Sequence, residues 1–195
     1  MVKDLSLRDE LVRKITHILA GVLGMAFALC IETTYGITTL TQVLFVGLLL
    51  ALVSDYLRVE HGVKTNLVRF LLRNREVGRL HAVTYALLAV LVATIVFDRD
   101  ITYASAATFF FGDAAAAICG RLWGRKKLYH KKSYVGTGAM FVVSAAVAIP
   151  ITSSLPVGLT IAAVATIIEL LSEKIDDSIL IILFSGVAGQ LLRGF

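Results

Sequence analysis

The chain is a succession of apolar runs parted by short charged stretches, and this alternation leaves few folds open. The runs fall at about 15–31, 37–54, 80–97, 101–120, 137–151, 155–172 and 178–193. Most have the length a helix needs to cross the ~30 Å hydrocarbon core of a bilayer. Backbone groups in that core must be satisfied within the segment itself, so such runs read as helices. The predicted fold is an all-α integral membrane protein, a polytopic bundle of about seven transmembrane helices forming one domain over 1–195, with 137–151 as the shortest span. A composition of 57% hydrophobic and 17% charged residues, with mean hydropathy +0.83, does not suit a soluble domain of this size. The leader MVKDLSLRDELVRK is mixed in charge and lacks a small-residue cleavage pattern. It reads as an interfacial helix feeding the first span rather than as a signal peptide.

The basic residues predict the topology. The leader, the loop at 55–79, the loop at 121–134 and the loop at 173–177 together hold seventeen Lys and Arg, while the opposite side has only Arg99 and Arg193. This asymmetry places the N-terminus and the three basic loops in the cytoplasm. It also accounts for most of the net charge of +5, so no nucleic-acid partner is implied. Residues 64–79 place Leu67, Phe70 and Leu71 at helical spacing among arginines, the pattern of a short helix lying in the headgroup layer. Cys30 and Cys119 both fall in apolar spans and form no metal-binding pattern, so they read as small core residues. Pro150 and Pro156 flank a brief turn between the fifth and sixth spans, as suits helix ends.

Four constellations carry chemistry. In RKITHILAG, Lys14, His17 and Gly21 share one helical face, and Arg13 and Lys14 stand where they can hold phosphate oxygens. The plainer alternative makes the two cations topology anchors and His17 a buried, hydrogen-bonded histidine. In GDAAAAICGRLWG, Asp113 sits inside an apolar run, where a carboxylate is costly and usually functional. Asp113, Ala117, Gly120 and Gly124 lie close to one face, which suits either a ligand approaching the backbone or a small-residue packing seam between helices. Asp113 can hold a divalent cation, with phosphates completing the shell as Mg²⁺ prefers. The loop that follows carries Arg121, Arg125, Lys126, Lys127, Lys131 and Lys132. These suit a triphosphate and the charge that develops during its transfer, or anionic lipid headgroups. Lys132 and Ser133 are favoured as site residues because Gly136 and Gly138 follow closely.

The last constellation is IIELLSEKIDDS. Glu169, Glu173 and Asp176 share a face, and Asp177 adds a fourth acid. Four acids so close repel unless cations neutralise them, which suits a second metal position or a base for a hydroxyl group. The alternative is a solvated loop with Asp176 or Asp177 capping the last span. All four constellations fall on the predicted cytoplasmic side, where a metal, a polyphosphate and a lipid would meet.

At RKITH, GDAAAAICGRLWGRKK, KKSYVGT and the closing E…IDD, in this order over 13 to about 190, the chain resembles the polyprenol kinase family. That family includes dolichol kinase, phytol kinase and the CTP-dependent diacylglycerol kinase. More distantly, the chain is similar to phosphatidate cytidylyltransferases. The resemblance implies Arg13, Lys14 and His17 at the site, Asp113 as a metal ligand, Gly120 and Arg121 at the nucleotide, and Lys132, Ser133 and Gly136 in a phosphate loop. It also implies Glu169, Asp176 and Asp177, an acid-xx-Arg pair at Asp55 and Arg58, and a further acid at Glu76. Val135 and Ser178 depart from the family pattern, which often has an acid and an asparagine there. No GxxxxGK occurs in the chain, which excludes a P-loop kinase.

The expected activity is phosphoryl transfer from CTP to the hydroxyl of a polyprenol- or dolichol-type isoprenoid alcohol. Asp113, with Asp176 or Asp177, would hold Mg²⁺ or another divalent cation. Arg13, Lys14, Arg121 and Lys132 would clamp the phosphates, with Lys131 beside them. His17 or Glu169 would accept the hydroxyl proton. The nearest alternative is a cytidylyltransferase that joins CTP to a lipid phosphate. A transporter would place acids through the outer half as well, and that half is nearly bare of charge.

Overall fold

The computed structural model describes residues 7–61, 80–130, 132–172 and 176–194. Its helices are α1 (Leu7–Tyr35), α2 (Ile37–His61), α3 (Ala82–Val96), α4 (Arg99–Leu122), α5 (Tyr134–Thr152), α6 (Leu155–Leu171) and α7 (Asp177–Arg193). Helices α1, α2, α4 and α5 are long and apolar enough to cross a membrane, while α3 and α6 are shorter and apolar. The leader is no separate element from Leu7 onward, because α1 runs unbroken into the first span. The segment at 64–79 lies outside the described residues.

The connections are tight, and each has a local cause. Gly36 alone joins α1 to α2, at φ +87°, a conformation that glycine adopts without a Cβ penalty. Its N–H donates to the Glu32 carbonyl at 2.9 Å, closing α1. Ser153, at φ +50°, turns α5 back into α6, and Pro156 occupies the first turn of α6, where its missing N–H costs nothing. Pro150 lies inside α5 rather than beyond it, because the helix continues to Thr152. The fifth span, the shortest by sequence, is a 19-residue helix here. Ser133 starts it early by accepting the Gly136 N–H at 3.1 Å.

Helices α4 to α7 and α3 form the core, centred on Ile101, Met140, Ile161, Ile181 and Ile182, all fully buried. The α1–α2 hairpin packs outside them. Within the most apolar window of each helix, 6% of α1 and 11% of α2 are buried, against 61% of α4. Cys30 is therefore exposed on α1 rather than part of the core. At one end of the bundle, Arg193 bonds Asp100 at 2.5 Å and the Thr152 carbonyl at 3.2 Å, tying α7 to α4 and α5.

The seam between α4 and α5 depends on glycine. A Cβ on Gly136 would lie 2.8 Å from the Ala116 carbonyl oxygen and 3.2 Å from Gly120 Cα. Gly136→Ala is therefore expected to destabilise the bundle by about 1–3 kcal/mol, as overpacking does. Gly138→Ala, where a Cβ meets nothing within 4 Å, is expected to be neutral or stabilising. Thermal unfolding of the two variants in lipid nanodiscs separates them.

Candidate active site at one end of the bundle

Helix α1 brings Lys14, His17 and Gly21 against α4 along one face. Gly21 sets the approach, since a Cβ there would lie 2.4 Å from Phe110 Cγ. Seven residues earlier, Lys14 Nζ donates to Asp113 Oδ2 at 2.5 Å, and Lys14 is only 8% exposed. His17 Nε2 lies 3.8 Å from the same oxygen. Its ring stands edge-on to Phe109, with centroids 4.9 Å apart. His17 Nε2 is buried and has no hydrogen-bond partner.

Asp113 follows a π-helical turn, Thr108–Gly112, in the middle of α4. Such turns insert a residue into a helix and are frequent at functional sites. The turn packs closely on α5, since a Cβ on Gly112 would meet Ser144 Oγ at 2.5 Å.

A second pair lies nearby. Lys132 Nζ, on a side chain 30% exposed, donates to Glu169 Oε1, and Glu169 is 3% exposed. The carboxylates of Asp113, Glu169 and Asp177 lie within electrostatic reach of one another or of Lys132. The cluster thus joins three carboxylates to two ammonium groups, drawn from α1, α4, α6, α7 and the segment just before α5. Asp177 accepts from Ser172 Oγ at 2.7 Å, bridging the end of α6 and the start of α7. Asp176 acts differently. Its Oδ1 accepts from the Ser178 N–H at 3.0 Å and from the Ser178 hydroxyl, capping α7. Of the two adjacent acids, Asp176 is the cap and Asp177 the one coupled to the cluster.

The small residues of the fourth span face α5. Around Gly120 and Gly124, the space a side chain would need is filled by Ser133 Oγ, at 3.1 and 2.3 Å from the would-be Cβ atoms. Gly120, Gly136 and Ser133 therefore form a packing seam, the alternative that the sequence left open. Beyond α4 the basic loop folds into a two-stranded antiparallel ribbon, β1 (Lys127–Tyr129) and β2 (Lys132–Ser133). Nothing in the basic run had pointed to a ribbon. Arg121, Trp123, Arg125, Lys126, Lys127 and Tyr129 lie on and around it, most of them exposed. Arg13 lies beside Lys14 on α1 and is partly buried. Lys131, Glu76 and Glu173 lie outside the described residues.

Asp55 and Arg58 belong to a separate cluster at the ends of α2 and α3. Asp55 is fully buried and accepts from the His81 N–H at 2.9 Å, Thr84 Oγ1 at 2.7 Å and Arg58 Nη2 at 3.1 Å. His81 Nδ1 is also hydrogen-bonded to it. His81 and Thr84 were missed by sequence reasoning. A histidine opening the third span, opposite an acid closing the second, was the available signal.

Among the described residues, no three or more His, Cys, Asp or Glu side chains converge as a metal cage. Mg²⁺ needs no such cage, because it usually takes one or two carboxylates and completes its shell with water and phosphate. Asp113 and Asp177 fit that donor set, with Lys14 and Ser172 as their present partners.

An apolar groove of about 530 Å³ runs from this cluster between the α1–α2 hairpin and α3–α4. His17 lines one end and Glu32, Arg99 and Tyr103 the other; with Asp98, Asp100 and Arg193 paired close by, that end carries more charge than the sequence reading expected. No family model, curated protein or solved structure matches the chain. Fold and site together define a helical bundle, with helices suited to a membrane, that holds paired charges at one end and an apolar groove beside them.

Proposed function

We propose that this chain is a multi-pass membrane lipid kinase that transfers the γ-phosphoryl group of CTP to the hydroxyl of a polyprenol- or dolichol-type alcohol. The observation that carries this reading is the placement of His17. Its unpartnered Nε2 lies beside Asp113, and its ring lines the end of the apolar groove. A chain lying in the groove would present its hydroxyl where polar and apolar surroundings meet. The resemblance of the motifs at Arg13 to His17 and Asp113 to Lys127 supplies the nucleotide and the alcohol class. Seventeen of nineteen basic residues on one predicted side supply a cytoplasmic site and N-terminus, with seven spans.

Phosphoryl transfer is mostly positioning and charge neutralisation. The hydroxyl oxygen attacks the γ-phosphorus, the bond to the bridging β–γ oxygen breaks, and CDP leaves. His17 accepts the hydroxyl proton at Nε2. It is better suited than Glu169, which does not line the groove. Lys14 and Lys132 stand ready to turn from their carboxylates to phosphate oxygens, with Arg13 and Arg121 nearby. A divalent cation bound at Asp113 and Asp177 would neutralise charge on the phosphates. Asp176, as a helix cap, and Gly120, Ser133 and Gly136, as a packing seam, would support the site rather than touch the nucleotide.

The test is purified protein in nanodiscs with Mg²⁺, γ-labelled CTP, ATP or UTP, and a panel of prenols, diacylglycerol and phosphatidate. The expected result is label in a lipid monophosphate, with CDP released. Release of pyrophosphate from CTP and a lipid phosphate would instead establish the cytidylyltransferase. No turnover with any pair would refute both enzymes and leave transport.

A further inference from the structure

We propose that the groove is a length gauge for the acceptor alcohol, bounded at its far end by Glu32 and Tyr103, with Arg99 beside them. The proposal rests on the lipid kinase reading and narrows its acceptor to isoprenoid alcohols of about four units, shorter than a dolichol.

The groove has polar groups at its two ends and is apolar between them. Gly24, Ala28, Leu44, Val90 and Ala106 are among the residues lining the stretch between. The hydroxyls of Thr94 and Thr102 also reach its wall, but they donate to the Val90 and Ala93 carbonyls at 2.8 and 3.0 Å. They offer a ligand little beyond their methyl groups. A polar ligand would find no partner along this wall, and burying it there would be unfavourable. A hydrocarbon chain matches it, and apolar burial is favourable by about 25 cal/mol per Å².

The far end carries a polar group. Glu32, with a side chain 10% exposed, accepts from Arg99 Nε at 2.9 Å, the Arg99 side chain being 55% exposed, and from Tyr103 Oη at 2.8 Å. The Arg99 guanidinium also lies 5.9 Å from the centre of the Tyr103 ring. A chain reaching past these residues would have to part Tyr103 from Glu32 and leave that largely buried acceptor without the phenol. Chain growth is therefore favourable up to that point and unfavourable beyond it.

The helix itself supplies the scale. His17 and Glu32 bound the groove on α1, fifteen residues apart, or roughly 22 Å at the helical rise. Gly24 stands about halfway. An added Cβ there meets nothing within 4 Å, so a side chain can start from this lining position without a clash at its first atom.

The experiment uses full-length protein in nanodiscs, Gly24→Phe beside the wild type, and prenols of two, four and eleven isoprene units. Phosphorylation is measured for each, and a terminal diazirine on each prenol maps its tail by photo-crosslinking and peptide mass spectrometry. For the wild type, the four-unit tail is expected to label near Glu32 and Tyr103, and the eleven-unit prenol to be the poorer substrate. In Gly24→Phe, kcat/KM is expected to fall by about tenfold or more for four units and to hold for two, a discrimination typical of hydrophobic pockets. Identical length profiles in variant and wild type would overturn the gauge while leaving the kinase intact. Labelling at Glu32 and Tyr103 without phosphoryl transfer would leave the gauge and remove the kinase.

Discussion

Asp113→Asn is expected to lower CTP-dependent lipid phosphorylation by at least ~10²–10³-fold, the effect of removing one preorganised electrostatic group from a reacting centre. The substitution keeps the shape of the side chain and an oxygen that can still accept from Lys14. It removes the negative charge that pairs Lys14 and stands 3.8 Å from His17 Nε2. Part of any loss would come from Lys14 itself, a cation 8% exposed and left without its counter-charge. Lys14→Met combined with Asp113→Asn separates the two contributions. The double variant should recover thermal stability relative to Asp113→Asn and remain inactive. Activity above a tenth of wild type in Asp113→Asn, measured as label transferred to lipid, would remove Asp113 from the mechanism.

Asp55→Ala is expected to cost about 3–5 kcal/mol of stability, the range seen when one partner of a buried charged network is deleted. Four polar contacts from three residues end on this fully buried carboxylate. Its removal leaves the His81 N–H, the Thr84 hydroxyl and the Arg58 guanidinium without this acceptor, and each buried donor so stranded carries a desolvation penalty. Asp55→Asn preserves some acceptors and should cost less. Thermal unfolding in nanodiscs gives the order wild type, Asn, Ala. An alanine variant as stable as wild type would show that the cluster does not bolt α2 to α3.

The helices were legible because their cause is local. Each apolar run needs only its own composition to be a helix in lipid, and the expected 155–172 and 178–193 became Leu155–Leu171 and Asp177–Arg193. The fifth span was underestimated for an equally local reason: KKSYVG reads as a basic loop, yet Ser133 caps a helix that starts at Tyr134. The acids were legible as costly residues, but their partners were not. Lys14 and Asp113 are 99 residues apart, and Lys132 and Glu169 are 37 apart, so nothing in either segment names the other. The glycines at 120, 124 and 136 were ambiguous in principle. Small residues serve a ligand or a neighbouring helix equally well, and only the position of Ser133 and the Ala116 carbonyl reveals the close packing. The π-helical turn before Asp113 has no signature in TFFFG beyond a terminal glycine.

The peripheral hairpin gives the charged cluster two unequal supports. Asp113 stands on α4, which the rest of the protein encloses, whereas Lys14 and His17 stand on α1, most of whose apolar surface faces outward. In the proposed bilayer setting, the surrounding hydrocarbon would press α1 inward over much of its length. Lateral pressure and bilayer thickness would then act on the separation between Lys14 and Asp113. On that reading, loss of the proposed activity on extraction into micelles, with helicity intact and recovery on return to a bilayer of suitable thickness, is the expected consequence.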